Sequence, residues 1–119
     1  MNVADLLEQI QRQPDSVQFN DVMDVIATHY TYQPVRFSNG MGSGQVLNEA
    51  GSNEGSCKLF AFAMLHDLDE QQTLHCFGHY YREDVLGNPS GDDHANIRSF
   101  MQSGWPGIHF SSPVLTPKN

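Results

Sequence analysis

The stretch Cys57-Lys58-Leu59-Phe60-Ala61-Phe62-Ala63-Met64-Leu65 constrains this chain more than any other. From Leu59 to Leu65 every residue is apolar, so whatever structure the run adopts has no face to offer water. As a helix it has to sit at the centre of the fold, wrapped by other elements. A fully buried strand of the same length is the rival reading. Ala61, Ala63 and Met64 favour helix, and Ser56 stands where an N-cap belongs, so the pattern predicts a buried central helix. The seven-residue run is far too short to cross a bilayer, which takes roughly 20 apolar residues, and no membrane span is expected. The wrapping has to come from the rest of 119 residues, one domain's worth. A chain of this size buries roughly two-thirds of its unfolded surface, enough to fold without metal or disulfide.

The neighbours of that helix read as mostly helical. Asn2 is placed to cap a first helix, with Asp5 at its third position and Val3, Leu6, Leu7 and Ile10 on one face, and Pro14 ends it. A second helix covers about 20–30, with Val22, Val25, Ile26 and Tyr30 on one face and Ser16 or Asn20 as alternative caps. Residues 31–37 read as extended, because Pro34 pushes its predecessor out of the helical region. Asn39-Gly40 turns the chain, the tip runs from Met41 to Gly44, and residues 45–48 return as a small hairpin. Asp69 with Gln72 forms a capping-box pattern, and Leu74, Phe77, Gly78 and Tyr81 continue one helix to Val85 or Leu86, where Gly87-Asn88-Pro89 stops it. Asp92 or Asp93 is placed to cap a last helix with Ile97, Phe100 and Met101 inward, ended by Gly104. Ile108-His109-Phe110 reads as a short strand, and 111–119 as a loose tail. The fold class is therefore α+β: a mostly helical single domain over 1–119, with about five helices and two or three short antiparallel strands.

Charge narrows the function. Six basic against 14 acidic residues give a net charge of −8, the wrong sign for a nucleic-acid backbone or an anionic membrane surface. Two cysteines are too few for a disulfide framework, and reduced thiols are expected. The opening Met1-Asn2-Val3-Ala4-Asp5-Leu6-Leu7-Glu8 has neither the basic start nor the apolar run of a cleaved export signal. No phosphate loop, dinucleotide fingerprint or calcium loop is present, and no cofactor is expected.

Three blocks of residues, taken together, carry a resemblance. They are Asn48-Glu49-Ala50-Gly51 with Gly55-Ser56-Cys57-Lys58-Leu59-Phe60-Ala61-Phe62-Ala63; Tyr80-Tyr81-Arg82 with Asp84-Val85-Leu86 and Pro89; and Asp93-His94, Asn96-Ile97-Arg98, Phe100-Met101, Gly104-Trp105, Gly107-Ile108 and Phe110. Over roughly 19–115 the chain resembles the HopJ, or HopPmaJ-like, type III effector family. The resemblance implies a bacterial protein held in the cytoplasm before export, carried by the type III secretion machinery into a host cell, with a host protein as partner. It implies no reaction and no catalytic residue. Residues 1–18, with Gln9, Gln11, Gln13, Ser16 and Gln18, suit an uncleaved secretion segment and equally an ordinary surface helix.

The residues themselves offer one catalytic candidate. Cys57 follows Gly55-Ser56 at the expected start of the buried helix, where the positive helix end and Lys58 favour thiolate. Gly-Ser-Cys followed by Ala61-Phe62 is similar to the nucleophile segment of papain-like cysteine proteases, and His109 lies later in the chain on an expected strand, as that chemistry requires. Lys58 stands where that class has an aromatic, and buried cysteine is also a common small apolar filler. His75 and His79 share a helix face with Cys76 beside them, but Arg82 extends that face and no third or fourth ligand is at hand, so no metal is expected. Asp92-Asp93-His94 suggests a proton relay, and a helix cap accounts for the same residues. Arg82 and Arg98 are placed to pair with Glu83, Asp84 or Asp93. Trp105, Tyr80 and Tyr81 suit either a binding surface or the core. Three functions follow: an effector-like protein that binds a host protein, a small cysteine hydrolase using Cys57 and His109, and a bacterial cytosolic housekeeping protein.

Overall fold

The computed structural model describes residues 1–118. The apolar run is helical and central: α3 spans Glu54–Leu65, and Cys57, Leu59, Phe60, Ala61, Phe62 and Ala63 are all buried. Phe60 is the hub, its ring within 4.9–6.4 Å of Phe37, Phe77, Phe100 and Trp105. Around it pack α1 (Val3–Arg12), α2 (Phe19–His29), α4 (Glu70–His75) and α5 (Ala95–Ser103), together with a π-helical turn over Tyr80–Val85. The fold is α+β and mostly helical, as the periodicity predicts. The Asn2 cap and the Asp69–Gln72 capping box form as read: Asn2 accepts from the Asp5 N–H at 2.8 Å, and Asp69 from the Gln72 N–H at 2.7 Å; the Asp5 carboxylate also accepts from the Asn2 N–H, completing a second box. Residues 1–18 are folded, with Leu6, Ile10 and Val17 fully buried.

The strands are β1 (Tyr30–Tyr32), β2 (Phe37–Asn39), β3 (Val46–Asn48), β4 (His109–Phe110) and β5 (Leu115–Pro117). The expected hairpin joins β2 to β3, with Asn39 opposite Val46 and Phe37 opposite Asn48. β4 adds to the other edge of β2, and β1 pairs antiparallel with β5. The tail is thus not loose. Between the two sheets the Ser111 N–H donates to Arg36 O (3.0 Å) and the Gln33 N–H to Val114 O (2.8 Å), and beyond β5 the Lys118 N–H donates to His29 O (2.9 Å). Residues 109–118 therefore run as one irregular ribbon along 29–38. Pro113 and Pro117 sit in this ribbon without breaking it, because an edge strand tolerates the missing N–H.

Three further expectations are corrected. The single helix read over 69–86 is broken at Gly78, whose φ of +62° lies in the left-handed region and where a Cβ would stand 2.8 Å from the Phe19 nitrogen. The chain restarts beyond it as the π-helical turn. The caps of three helices also differ: Gln18 precedes α2, Asn53 precedes α3 and His94 precedes α5, and none of them supplies a side-chain cap. Among the described residues Arg82 pairs with no carboxylate. It donates instead to the carbonyls of Pro14, Val17 and His75, clasping the π-helical turn to the link between α1 and α2. Arg98 does pair with Asp93, at 2.6 Å.

Candidate functional site

Cys57 lies one turn into α3 and not at its start: its N–H already donates to Asn53 O at 3.0 Å, so it is not one of the free N–H groups of the helix end. The thiol is 1% exposed. Burial pushes its pKa up, and hydrogen bonds with Tyr32 and the Val35 backbone offset part of that rise. Lys58 turns away to lie 4.7 Å over the Tyr32 ring. His109 is exposed on β4 and lines a shallow depression of about 270 Å³ with Arg36, Ser38 and Leu47. No hydrogen bond joins Cys57 and His109 among the described residues, and the two side chains have different neighbours. Cys76 is also buried, its thiol pushed up to about 12.

The His75–His79 pair loses its shared face at Gly78. His75 Nδ1 lies 3.3 Å from the Arg82 guanidinium, and its pKa is lowered by burial and by that charge. His79 is exposed and rests against the Tyr80 ring, centroids 4.2 Å apart. No group of three or more His, Cys, Asp or Glu is placed to hold a metal among the described residues. Tyr81 is buried and accepts from Gln71, and Trp105 donates from its indole to Leu68 O at 3.0 Å, so both serve the core.

Tyr80 has a different setting. It lines a cleft of about 490 Å³ where the first turns of α3 and α5 converge. Phe19 and Phe77 form one wall, their rings stacked at 6.3 Å, with Tyr80 edge-on to Phe19 at 5.2 Å. Gly55 permits the approach of that wall, since a Cβ there would stand 2.9 Å from Phe19 Cζ. Asn53 (φ 51°) and His94 (φ 52°) precede the two helices, both in the left-handed region that non-glycine residues seldom occupy. Neither caps its helix, because a capping side chain needs extended backbone and both residues are left-handed. Asn53 Nδ2 donates to Asn48 Oδ1 at 2.7 Å, and His94 Nε2 sits 3.1 Å from Asp84 Oδ2 with its ring 5.3 Å from that of Tyr80. Uncapped, the first-turn N–H groups of both helices remain unspent at the cleft.

Beneath the cleft lies a network that the sequence reading did not identify. Asn39, Asn48 and Asn96 are all buried. Asn39 Nδ2 donates to Asn96 O (2.7 Å) and Oδ1 (3.0 Å), Asn48 Nδ2 to Asn96 Oδ1 (3.1 Å), and Asn96 Nδ2 to Asn48 Oδ1 (3.0 Å). The signal was available in the hairpin: strand alternation puts Asn39 on the same face as Phe37, and a buried amide has to find partners.

Comparison with known proteins agrees with this picture. No curated protein matches the chain. A crystal structure titled as an unknown function protein, VPA0580, is similar to it at 44% identity with a TM-score of 0.94, over 99% of this chain and 95% of that one. The sequence model of a family described as "HopJ type III effector protein" matches residues 3–115. With nearly all its length matched and the α+β architecture in place, the chain belongs to the HopJ type III effector family.

Proposed function

We propose that this protein is carried through a type III secretion machine and acts by binding a host protein. Family membership supports the delivery half of this reading. The observation that carries the binding half is an apolar groove of about 380 Å³ at the far end of α3, lined by Ala61, Met64, Leu65, Phe110, Pro113 and Val114. Met64 and Leu65 are 43% and 48% exposed there, although they belong to the most apolar segment of the chain. A contiguous solvent-facing apolar surface, as opposed to scattered side chains, suits the apolar side chains of a partner. The net charge of −8 favours a partner with a basic surface around the contact. The buried thiol of Cys57 supports a binding role over the hydrolase alternative, which needs a reachable thiolate.

Two measurements test the reading. An enzyme reporter fused to residues 1–18 should enter host cells only when the secretion apparatus works. Retention of the reporter with a working apparatus would favour the housekeeping function. A photo-crosslinking residue at position 65 of the full chain should label one host protein, and Met64→Asp should abolish that labelling while leaving the melting temperature nearly unchanged. Labelling indifferent to Met64→Asp would refute the groove as the binding surface.

A further inference from the structure

We propose that the cleft between the first turns of α3 and α5 binds an aromatic anion, that is, a ring carrying a carboxylate or phosphate head. The apolar groove plays no part in this inference. The cleft's size is ample: an apolar cavity of about 150 Å³ already holds benzene, and this one encloses about 490 Å³. Its walls suit a ring. Phe19, Phe77 and Tyr80 present an aromatic corner, with Phe19 and Tyr80 at 76° and 5.2 Å, an arrangement that extends to a further ring stacked or edge-on.

Its charge suits an anion. Of the chain's 14 acidic residues none lines the cleft, although acidic residues outnumber basic ones more than twofold. The ionisable side chains that do line it are Tyr80 and His94. Asp84 and Asp93 approach His94 from the π-helical turn and from the loop before α5, at 3.1 and 3.9 Å from Nε2, so that nitrogen is held outside the cleft and His94 adds a ring beside Tyr80, centroids 5.3 Å apart. Ser56, also on the lining, adds a hydroxyl, and the first turns of two helices of 12 and 9 residues contribute N–H groups without a side-chain cap. The left-handed backbone at Asn53 and His94 is energetically costly, and two such residues flanking one cavity is a pattern found at binding sites.

The test is titration of isotope-labelled full-length protein near neutral pH, followed by amide NMR, with phenylacetate and phenyl phosphate as probes. Acetate and inorganic phosphate supply the head alone, and benzyl alcohol the uncharged ring. An aryl anion should shift the Gly55, Ser56, Ala95 and Asn96 signals saturably and bind at least tenfold more tightly than either half-probe. The preferred head then separates carboxylate from phosphate ligands. Tyr80→Ala and His94→Gln should each weaken binding at least tenfold. Ala95→Asp is the sharper variant: a carboxylate at an exposed first helical position favours α5, so the protein should fold as well or better while losing the anion. Met64→Asp, at the separate groove, should bind the probes normally. Equal affinity for benzyl alcohol, equal affinity for inorganic phosphate, unaltered binding in Ala95→Asp, or shifts confined to other surfaces would each overturn the proposal.

Discussion

Removing single amides from the buried asparagine network should give strongly non-additive losses of stability. Asn96→Ala deletes three hydrogen bonds, those to Asn39 Nδ2, to Asn48 Nδ2 and to Asn48 Oδ1. Each partner group keeps another bond: Asn39 Nδ2 on the Asn96 carbonyl, Asn48 Nδ2 on Phe37 O, and Asn48 Oδ1 from Asn53. At about 1 kcal/mol per bond the loss is about 3 kcal/mol. Asn48→Ala deletes four bonds of 3.3 Å or shorter, with Asn96 Oδ1, Asn96 Nδ2, Phe37 O and Asn53 Nδ2, and a long 3.5 Å contact to Val46 O that adds little. It also strands Asn96 Nδ2, which has no other partner on a residue only 6% exposed. The loss rises to about 5 kcal/mol once that stranded amide is included. Setting aside the long Val46 contact, the double variant removes five distinct bonds and leaves no Asn96 amide stranded, so it should cost about 5 kcal/mol, roughly 3 less than the two single losses combined. Urea unfolding followed by the fluorescence of Trp105, the chain's single tryptophan, packed against Phe60 and Phe100, reads all three values. A double variant whose loss equals the sum of the singles would show that the amides contribute independently and would refute the network argument.

Both thiols should alkylate slowly in the native protein near neutral pH, roughly tenfold or more below the urea-unfolded rate, because burial raises both pKa values and shields both sulfurs. Fast reaction at Cys57 that slows in His109→Ala would revive the hydrolase. Stability should fall on acidification below about pH 6.5. Burial holds His66 and His75 below their ordinary value of 6.5, so the unfolded chain takes up protons first, and stability is full above that pH and declines toward the folded values. His66→Gln with His75→Gln should flatten the urea midpoint between pH 7.5 and 5.5, and an unchanged slope would assign the effect elsewhere. Gly104→Ala should cost about 2–3 kcal/mol by thermal or urea melting, since φ 62° and ψ −153° belong to a region essentially reserved for glycine, and a Cβ would collide with the Glu70 carboxylate. A loss below about 0.5 kcal/mol would show that the loop relaxes freely.

What could be read from the sequence was local. An apolar run with no polar face has one structural solution, so α3 was legible. Both capping boxes span three residues and depend on nothing distant. The Asn39-Gly40 turn set the hairpin. What could not be read depends on partners far away in the chain. The ribbon of 109–118 is invisible without 29–38, and its place at the end of the sequence argued for looseness. The π-helical turn exists because Gly78 has to pass the Phe19 backbone. Asn53 and His94 stand at their helix starts in left-handed backbone, which no local pattern signals. Cys57 and His109 have the chain order of a nucleophile and its base, but order carries no distance. The cleft gathers Phe19, Val46, the start of α3, Phe77 with Tyr80, and the start of α5, and no one of these segments holds a recognisable motif.

The ribbon of 109–118 also sets when the molecule can finish folding. Its residues leave the ribosome after everything they pair with, and closing β1 onto β5 joins positions 30 and 117. A closure of that length costs about 4 kcal/mol of chain entropy, returned only when the ribbon is complete. Until then the β1 edge and the inner sides of Val114 and Leu115 stay unsealed, while α1 to α3 and the β2–β3 hairpin already have their partners. Nascent chains should therefore pause as a helical, half-closed form. On the proposed secretion route that delay would help, because the interval before the ribbon closes is the time in which the chain is easiest to capture unfinished.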